Sequence, residues 1–312
     1  MSVQPRVNAP TPSVRRTRLA RRVLPHLEGY LYVLPALAVL GLFHLWPSLY
    51  TFYLSLHNWN LIQRVPRFIG LANYERLWSD EYFWLALRNT ATYALGVVPA
   101  SLVIGLLLAL LLVDAGRMSG LYRVLLFTPV VTAASAAAVI WKWMYAPDEQ
   151  GLFNALLGLV GVAPRRWLQD PDLAMFSVTL LGIWKSIGYN VVIFYAGLRN
   201  IAVEYREAAR IDGATAWQEF RHIVLPLLSP TTYFVLIVSV ISSFQVFSQV
   251  YVMTRGGPLG RTMVLVYYIY DRAFGSFRIG YAAAIAFALF GIILCLTLLQ
   301  RAVLQNRIHY DN

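Results

Sequence analysis

The sequence predicts an all-α membrane protein of six transmembrane helices, with a cytoplasmic loop of its own design between helices 4 and 5. Three observations predict it. Six apolar runs, at 30–54, 89–113, 122–146, 174–198, 227–253 and 278–303, are each long enough to cross about 30 Å of hydrocarbon as helix. Hydrophobic residues make up 58% of the 312 and charged residues only 13%, against about 25% in a soluble domain. The charges punctuate the runs instead of gathering on one polar surface, so the net charge of +11 reports topology and not a nucleic-acid partner.

The organisation is a basic tail (1–29), one six-span domain (30–303) and a short tail (304–312), both tails expected in the cytoplasm. Arg15, Arg16, Arg18, Arg21 and Arg22 precede the first run. The polar lead-in is long, the run exceeds a signal peptide's apolar core, and no small-residue cleavage site follows. The expectation is an uncleaved first span with its basic flank inside. That flank also suits anionic lipid. An even number of spans returns the C-terminus to the same side and places 199–226 in the cytoplasm.

The external segment 55–88 contains Phe68 to Trp78, F-I-G-L-A-N-Y-E-R-L-W, whose aromatics suggest a helix at the headgroups. A plain connector is the other reading. Lys142, near the outer end of the third run, is placed to snorkel. The fourth run carries Trp184, Lys185, Tyr189 and Asn190. A lysine at that depth is costly and normally faces a cavity or a partner. The rings suit stacking on a solute or ordinary packing.

Between the fourth and fifth runs lies E-A-A-R-I-D-G-A-T-A-W-Q-E-F-R-H-I-V-L-P, Glu207 to Pro226. Glu207, Ala208 and Ala209 read as helix with small side chains that allow close contact. Gly213 permits a positive-φ turn. Ala214 to Val224 reads as a second short helix, with Trp217, Phe220 and Val224 on one face. Pro226 suits the start of the next helix.

The fifth run carries Ser242, Ser243, Gln245, Ser248 and Gln249. In an unbroken helix Ser242, Gln245 and Gln249 share a face. Amides and hydroxyls there suit a polar solute path or helix–helix hydrogen bonding. The segment 254–277 opens on Thr254-Arg255-Gly256-Gly257-Pro258, a helix-incompatible turn.

The Glu207–Pro226 stretch resembles the EAA loop of permease subunits of bacterial binding-protein-dependent ABC importers. Glu207, Ala208, Ala209, Gly213, Ile223, Leu225 and Pro226 occupy the motif's positions. Asp212, Ala214, Phe220 and Pro230 resemble the carbohydrate-uptake branch, in sugar or glycerol-3-phosphate form. F-x-G-L-x-N-Y and T-x-G-G-P resemble external loops of the same family. The resemblance implies a second permease subunit, two copies of an ATPase subunit carrying ATP and Mg, and an extracytoplasmic solute-binding protein. Glu207, Ala208, Ala209, Asp212, Gly213, Phe220 and Pro226 would couple to the ATPase, and Gly256, Gly257 and Pro258 would face the binding protein. Where the family often has an acidic residue in F-[DS]-Q, this chain has Ser248.

The residues agree with a passive partner to an external engine. A P-loop needs a lysine after glycine, and the two lysines, Lys142 and Lys185, have none before them. No Asp or Glu falls within the six runs and His44 is their only histidine, which argues against a proton-coupled carrier. Sodium sites built from carbonyls are less excluded, so a stand-alone carrier is the alternative. No paired carboxylates or metal-ligand spacing point to an enzyme, and Cys295 is a lone small apolar residue. No cofactor is expected in this chain. The candidate solute path is Lys185, Tyr189, Asn190, Ser242, Gln245 and Gln249.

Overall fold

The computed structural model describes residues 30, 32–60, 65–113 and 119–304. The N-terminal arginine cluster, residues 61–64 and 114–118, and residues 305–312 of the C-terminal tail lie outside them. The chain divides into two units, 1–53 and 54–312.

The first unit holds most of the span Tyr32–Ser55. Its helix widens into a π turn over Gly41–Leu45, just before Pro47. Proline has no amide to offer the carbonyl four residues back, and a wider turn is one way a helix absorbs that. Ser48 donates its hydroxyl to the His44 carbonyl and Thr51 donates to the Pro47 carbonyl, each at 2.7 Å.

Among the described residues of the second unit, four more helices are long and apolar enough to cross a membrane: Glu81–Val113, Ala174–Asn200, Ser229–Met253 and Ile279–Val303. A fifth element is a bent pair, Gly120–Val131 and Ala134–Met144, at 98° to one another. Counting that pair as one span gives six. The helix of the second span begins at Glu81, earlier than the apolar run, and carries Glu81 and Arg88 past the apolar stretch.

The second and fourth spans pack closely because glycines let them. A Cβ at Gly96 would lie 2.7 Å from the Thr179 methyl, one at Gly105 would lie 2.7 Å from the Asn190 Cβ, and one at Gly182 would lie 2.3 Å from the Tyr93 hydroxyl. Small residues at such crossings are how membrane helices gain contact without a hydrophobic driving force. Asn190, only 1% exposed, donates to Ser101 Oγ at 3.1 Å and accepts from Ser239 Oγ at 3.5 Å, tying spans two, four and five.

Toward the end opposite the Glu207 segment, a small antiparallel hairpin pairs His57–Asn58 with Arg67–Phe68, a minor departure from an all-helical chain. The short helix Ala72–Trp78 follows. Buried Asn73 donates to the Ser55 carbonyl at 2.7 Å and the His57 carbonyl at 3.0 Å, so it locks that helix against the hairpin. Trp78 remains 74% exposed.

Candidate functional site

The segment between the fourth and fifth spans is helix, glycine turn, helix. The first helix is Val203–Ile211. It ends in a Schellman motif around Gly213, whose φ is +80°. The Ala214 amide donates to the Ala209 carbonyl at 2.9 Å and the Gly213 amide to the Arg210 carbonyl at 3.1 Å, which serves two carbonyls the helix end leaves open. Thr215 then starts the second helix with a capping box: its hydroxyl accepts from the Gln218 amide, and the Gln218 side chain accepts from the Thr215 amide at 2.8 Å.

The second helix departs from expectation. Regular helix covers only Ala216–Glu219, and Phe220–Val224 is a π turn in which the Leu225 amide reaches back to the Phe220 carbonyl. Pro226 withholds the amide that the His222 carbonyl would accept, which favours the wider turn next to it. The expected face therefore does not persist. Trp217 and Phe220 stay neighbours, with ring centroids 5.7 Å apart, but Trp217 is exposed while Val224 is buried. Pro226 sits in the first turn of Leu225–Leu227, as a residue without a free amide should.

One residue holds the two helices together, and the motif does not single it out. Glu219 is buried, and its carboxylate accepts from Nε of Arg206 and, at 3.1 Å, from Nε of Arg210. The hydrogen bond from Arg206 is the main reason its carboxyl lies below the ordinary range; it outweighs the burial that would raise it, and Arg210 adds to it. Arg206 and Arg210 are one turn apart on the first helix, so the sequence did hold a signal. With the arginines committed to Glu219, Glu207 projects outward beside exposed Ala208 and Asp212, while Ala209 packs inward. Arg206 and Val224 share a small pocket with Leu110, Val113, Leu198 and Ile201, so the segment sits at the ends of the second and fourth spans.

The candidate path residues differ in exposure and do not share one unbroken helix. The fifth span breaks: helix Ser229–Phe244 ends at Gln245 and resumes at Ser248. Ser242, Gln245 and Gln249 thus lie on either side of a break and share no continuous helical face, a correction to the periodic reading. Ser242 and Gln245 are exposed and Gln249 is half-buried. Asn190 is enclosed between spans, whereas Tyr189 beside it is 37% exposed. Lys185 donates to the Thr132 carbonyl at 2.7 Å and the Pro129 carbonyl at 3.3 Å, both at the break of the third span.

At the other end, Thr254–Thr262 forms a tight loop with positive φ at Arg255, Gly256, Leu259 and Gly260 and a cis Gly257–Pro258 bond. Thr262 donates to the Gly257 carbonyl at 2.6 Å, and Asn89 of the second span donates to the Gly260 and Met263 carbonyls at 2.8 and 3.0 Å. The loop borders an open cleft of about 520 Å³ with Lys142, Tyr145, Leu168 and Gln169.

This arrangement joins a rigid two-helix segment at one end to a braced loop and cleft at the other, through broken helices. The family model "Binding-protein-dependent transport system inner membrane component" matches residues 101–309. The chain is 35% identical over 287 residues to the lactose transport system permease protein LacF of Rhizobium radiobacter, covering 90% of this chain and 95% of that one. It is 33% identical over 283 residues to the sn-glycerol-3-phosphate transport system permease protein UgpA of Yersinia pestis bv. Antiqua (strain Antiqua), with the same coverage. Its fold matches a solved bacterial alginate ABC transporter in complex with an alginate pentasaccharide-bound periplasmic protein, with a TM-score of 0.79 at 21% identity, covering 91% of this chain and 96% of that one. The chain belongs to the family of inner-membrane components of binding-protein-dependent transport systems, and is a permease subunit of an ABC importer rather than an enzyme.

Proposed function

We propose that this permease carries a sugar or a glycerol phosphate into the cell, and that its Glu207–Pro226 segment is the cytoplasmic lever through which separate ATPase subunits drive it. The observation that carries the reading is the Glu219 clasp. A two-helix segment clamped by Arg206 and Arg210 moves as one body, and it leaves Glu207, Ala208 and Asp212 facing outward for a partner. A lever must be stiff within itself to transmit a displacement between two states. Two ATPase copies holding ATP and Mg, a second permease subunit and an external solute-binding protein complete the importer. The Gly256-Gly257-Pro258 loop and its cleft face the binding protein, and both termini lie in the cytoplasm.

The lactose and glycerol-3-phosphate relatives are about equally similar, and both solute classes belong to the proposal. Ser242, Gln245 and Tyr189, each exposed, offer hydroxyl or amide groups to such a solute. The test is purification of the tagged chain in gentle detergent with its native partners, followed by reconstitution. Recovery of an ATPase, a second permease and a binding protein, with ATP-dependent uptake of a sugar or glycerol phosphate, supports the reading. Solute movement by the chain alone without ATP overturns it.

A further inference from the structure

We propose that Lys185 is a positioning residue for transport, whose ammonium holds the third span in its bent form by capping the carbonyl end of Ser119–Val131. The break at Thr132 and Ala133 leaves backbone carbonyls without helical amides. Irregular backbone at membrane depth persists only where other groups serve it. Thr132 covers the Thr128 carbonyl twice, by its amide at 3.2 Å and its hydroxyl at 2.7 Å. The Pro129 and Thr132 carbonyls receive Lys185 Nζ instead, at 3.3 and 2.7 Å. The two costs cancel each other: a lysine inside a span needs a partner, and a helix C-terminus favours a cation.

A second observation docks the same segment on the same face. Gly188 lies one turn beyond Lys185, and a Cβ there would stand 2.5 Å from the Leu126 carbonyl oxygen and 2.7 Å from a Val130 methyl. The stretch before the break is therefore fixed to the fourth span at two successive points. The stretch after it carries Trp141 onto Trp184, with ring centroids 5.7 Å apart, and leads to Lys142 at the external cleft. Lys185 thus sets the direction in which Ala134–Met144 leaves the break, and with it the wall of that cleft. The effect on transport rests on the importer reading; the effect on the bend does not.

The experiment uses the assembled complex in nanodiscs with Cys295→Ser and spin labels on cysteines replacing exposed Val124 and Val139, one on each side of the break. Pulsed electron resonance reads the distance between them. Lys185→Met is expected to lengthen and broaden that distance, and Lys185→Arg to keep it. In proteoliposomes Lys185→Met is expected to lower turnover about tenfold, the scale of one lost charged hydrogen bond, with the KM for solute unchanged and Lys185→Arg restoring the rate. An unchanged distance in Lys185→Met overturns the proposal. So does a raised KM with turnover and distance retained, which would place Lys185 on the solute. If Lys185→Met does not assemble, Lys185→Leu, which likewise has no donor for the Pro129 and Thr132 carbonyls, takes its place, and a distance identical to the parent's overturns the proposal in the same way. Failure of the parent complex to transport counts against the importer reading and leaves the distance result to decide the bend.

Discussion

Tyr281, near the start of the sixth span, donates its hydroxyl to the carboxylate of Asp80, which precedes the second span. Tyr268 donates to the same oxygen, and the Tyr82 amide donates to the other oxygen at 3.0 Å. One carboxylate so joins three separate parts of the end opposite the Glu207 segment. Burial alone would raise the Asp80 carboxyl, but the two tyrosine hydroxyls and the amides of Tyr82 and Phe83 together hold it below the ordinary range. A depressed carboxylate contributes stability that is present above its unfolded pKa, about 3.9, and lost as pH falls through the folded value. Tyr281→Phe is expected to cost about 1.5–3 kcal/mol, the scale of a hydrogen bond to a charged group. Thermal unfolding of the purified permease checks this, with the difference between parent and variant shrinking below about pH 4.

Gly280 is a position where a methyl group has no room. A Cβ there would lie 1.9 Å from the His57 carbonyl oxygen, and the Gly280 amide donates to the Trp59 carbonyl at 3.2 Å. Backbone on backbone cannot shift as a flexible side chain can. Gly280→Ala is expected to destabilise by at least the 1–3 kcal/mol typical of overpacking, roughly. Gly291→Ala on the same helix meets nothing within 4 Å and serves as the control, expected neutral or slightly stabilising. Equal melting temperatures for the two variants would contradict the close approach.

Such contacts explain how far the sequence could be read. The apolar runs, the positive φ of Gly213 and a helix within Phe68–Trp78 were legible, because hydropathy and turn chemistry are local. The breaks in the third and fifth spans were not, because they fall within runs that remain apolar or polar-speckled on both sides and leave no gap in hydropathy. Pro129 was a visible signal for the first break; nothing as plain marks Gln245. The continuous helical face expected of Ser242, Gln245 and Gln249 is interrupted for that reason. Glu219 lies outside the E-A-A signature that marks Glu207, and its sequence neighbours alone do not show its partners. The pairing of Glu219 with Arg206 and Arg210 depends on a fold-back that only the Gly213 turn produces.

The turn and the clasp predict different losses. Gly213 has φ +80° with open space around it, so Gly213→Ala is expected to cost only the left-handed strain of about 1–2 kcal/mol. Gly213→Pro cannot adopt that φ, and is expected to abolish uptake while membrane insertion is retained. Glu219→Gln leaves two arginines without their counter-charge and is expected to uncouple: ATP hydrolysis by the assembled complex persists while uptake falls. Glu207→Lys alters only the outward face and is expected to weaken ATPase co-purification. Robust uptake in both Gly213→Pro and Glu207→Lys would remove the lever from the mechanism.

Asn190 and Gln245, both offered by the sequence as solute contacts, are expected to behave oppositely. Asn190 is enclosed, and both ends of its amide are engaged by Ser101 and Ser239. Truncating it leaves the Ser239 hydroxyl without its acceptor and Ser101 with only its bond to the Val98 carbonyl, at about 1–3 kcal/mol for a buried polar group left unsatisfied. Asn190→Ala should therefore lower the amount and thermal stability of the complex, with the KM of whatever assembles unchanged. Gln245 lies exposed at a break where no helix needs its side chain. Gln245→Ala should leave assembly and melting temperature near those of the parent and change KM or turnover. Measuring yield, melting temperature and uptake kinetics side by side separates the two roles. A stability loss in Gln245→Ala equal to that of Asn190→Ala would assign both to packing and remove the fifth span from the solute path.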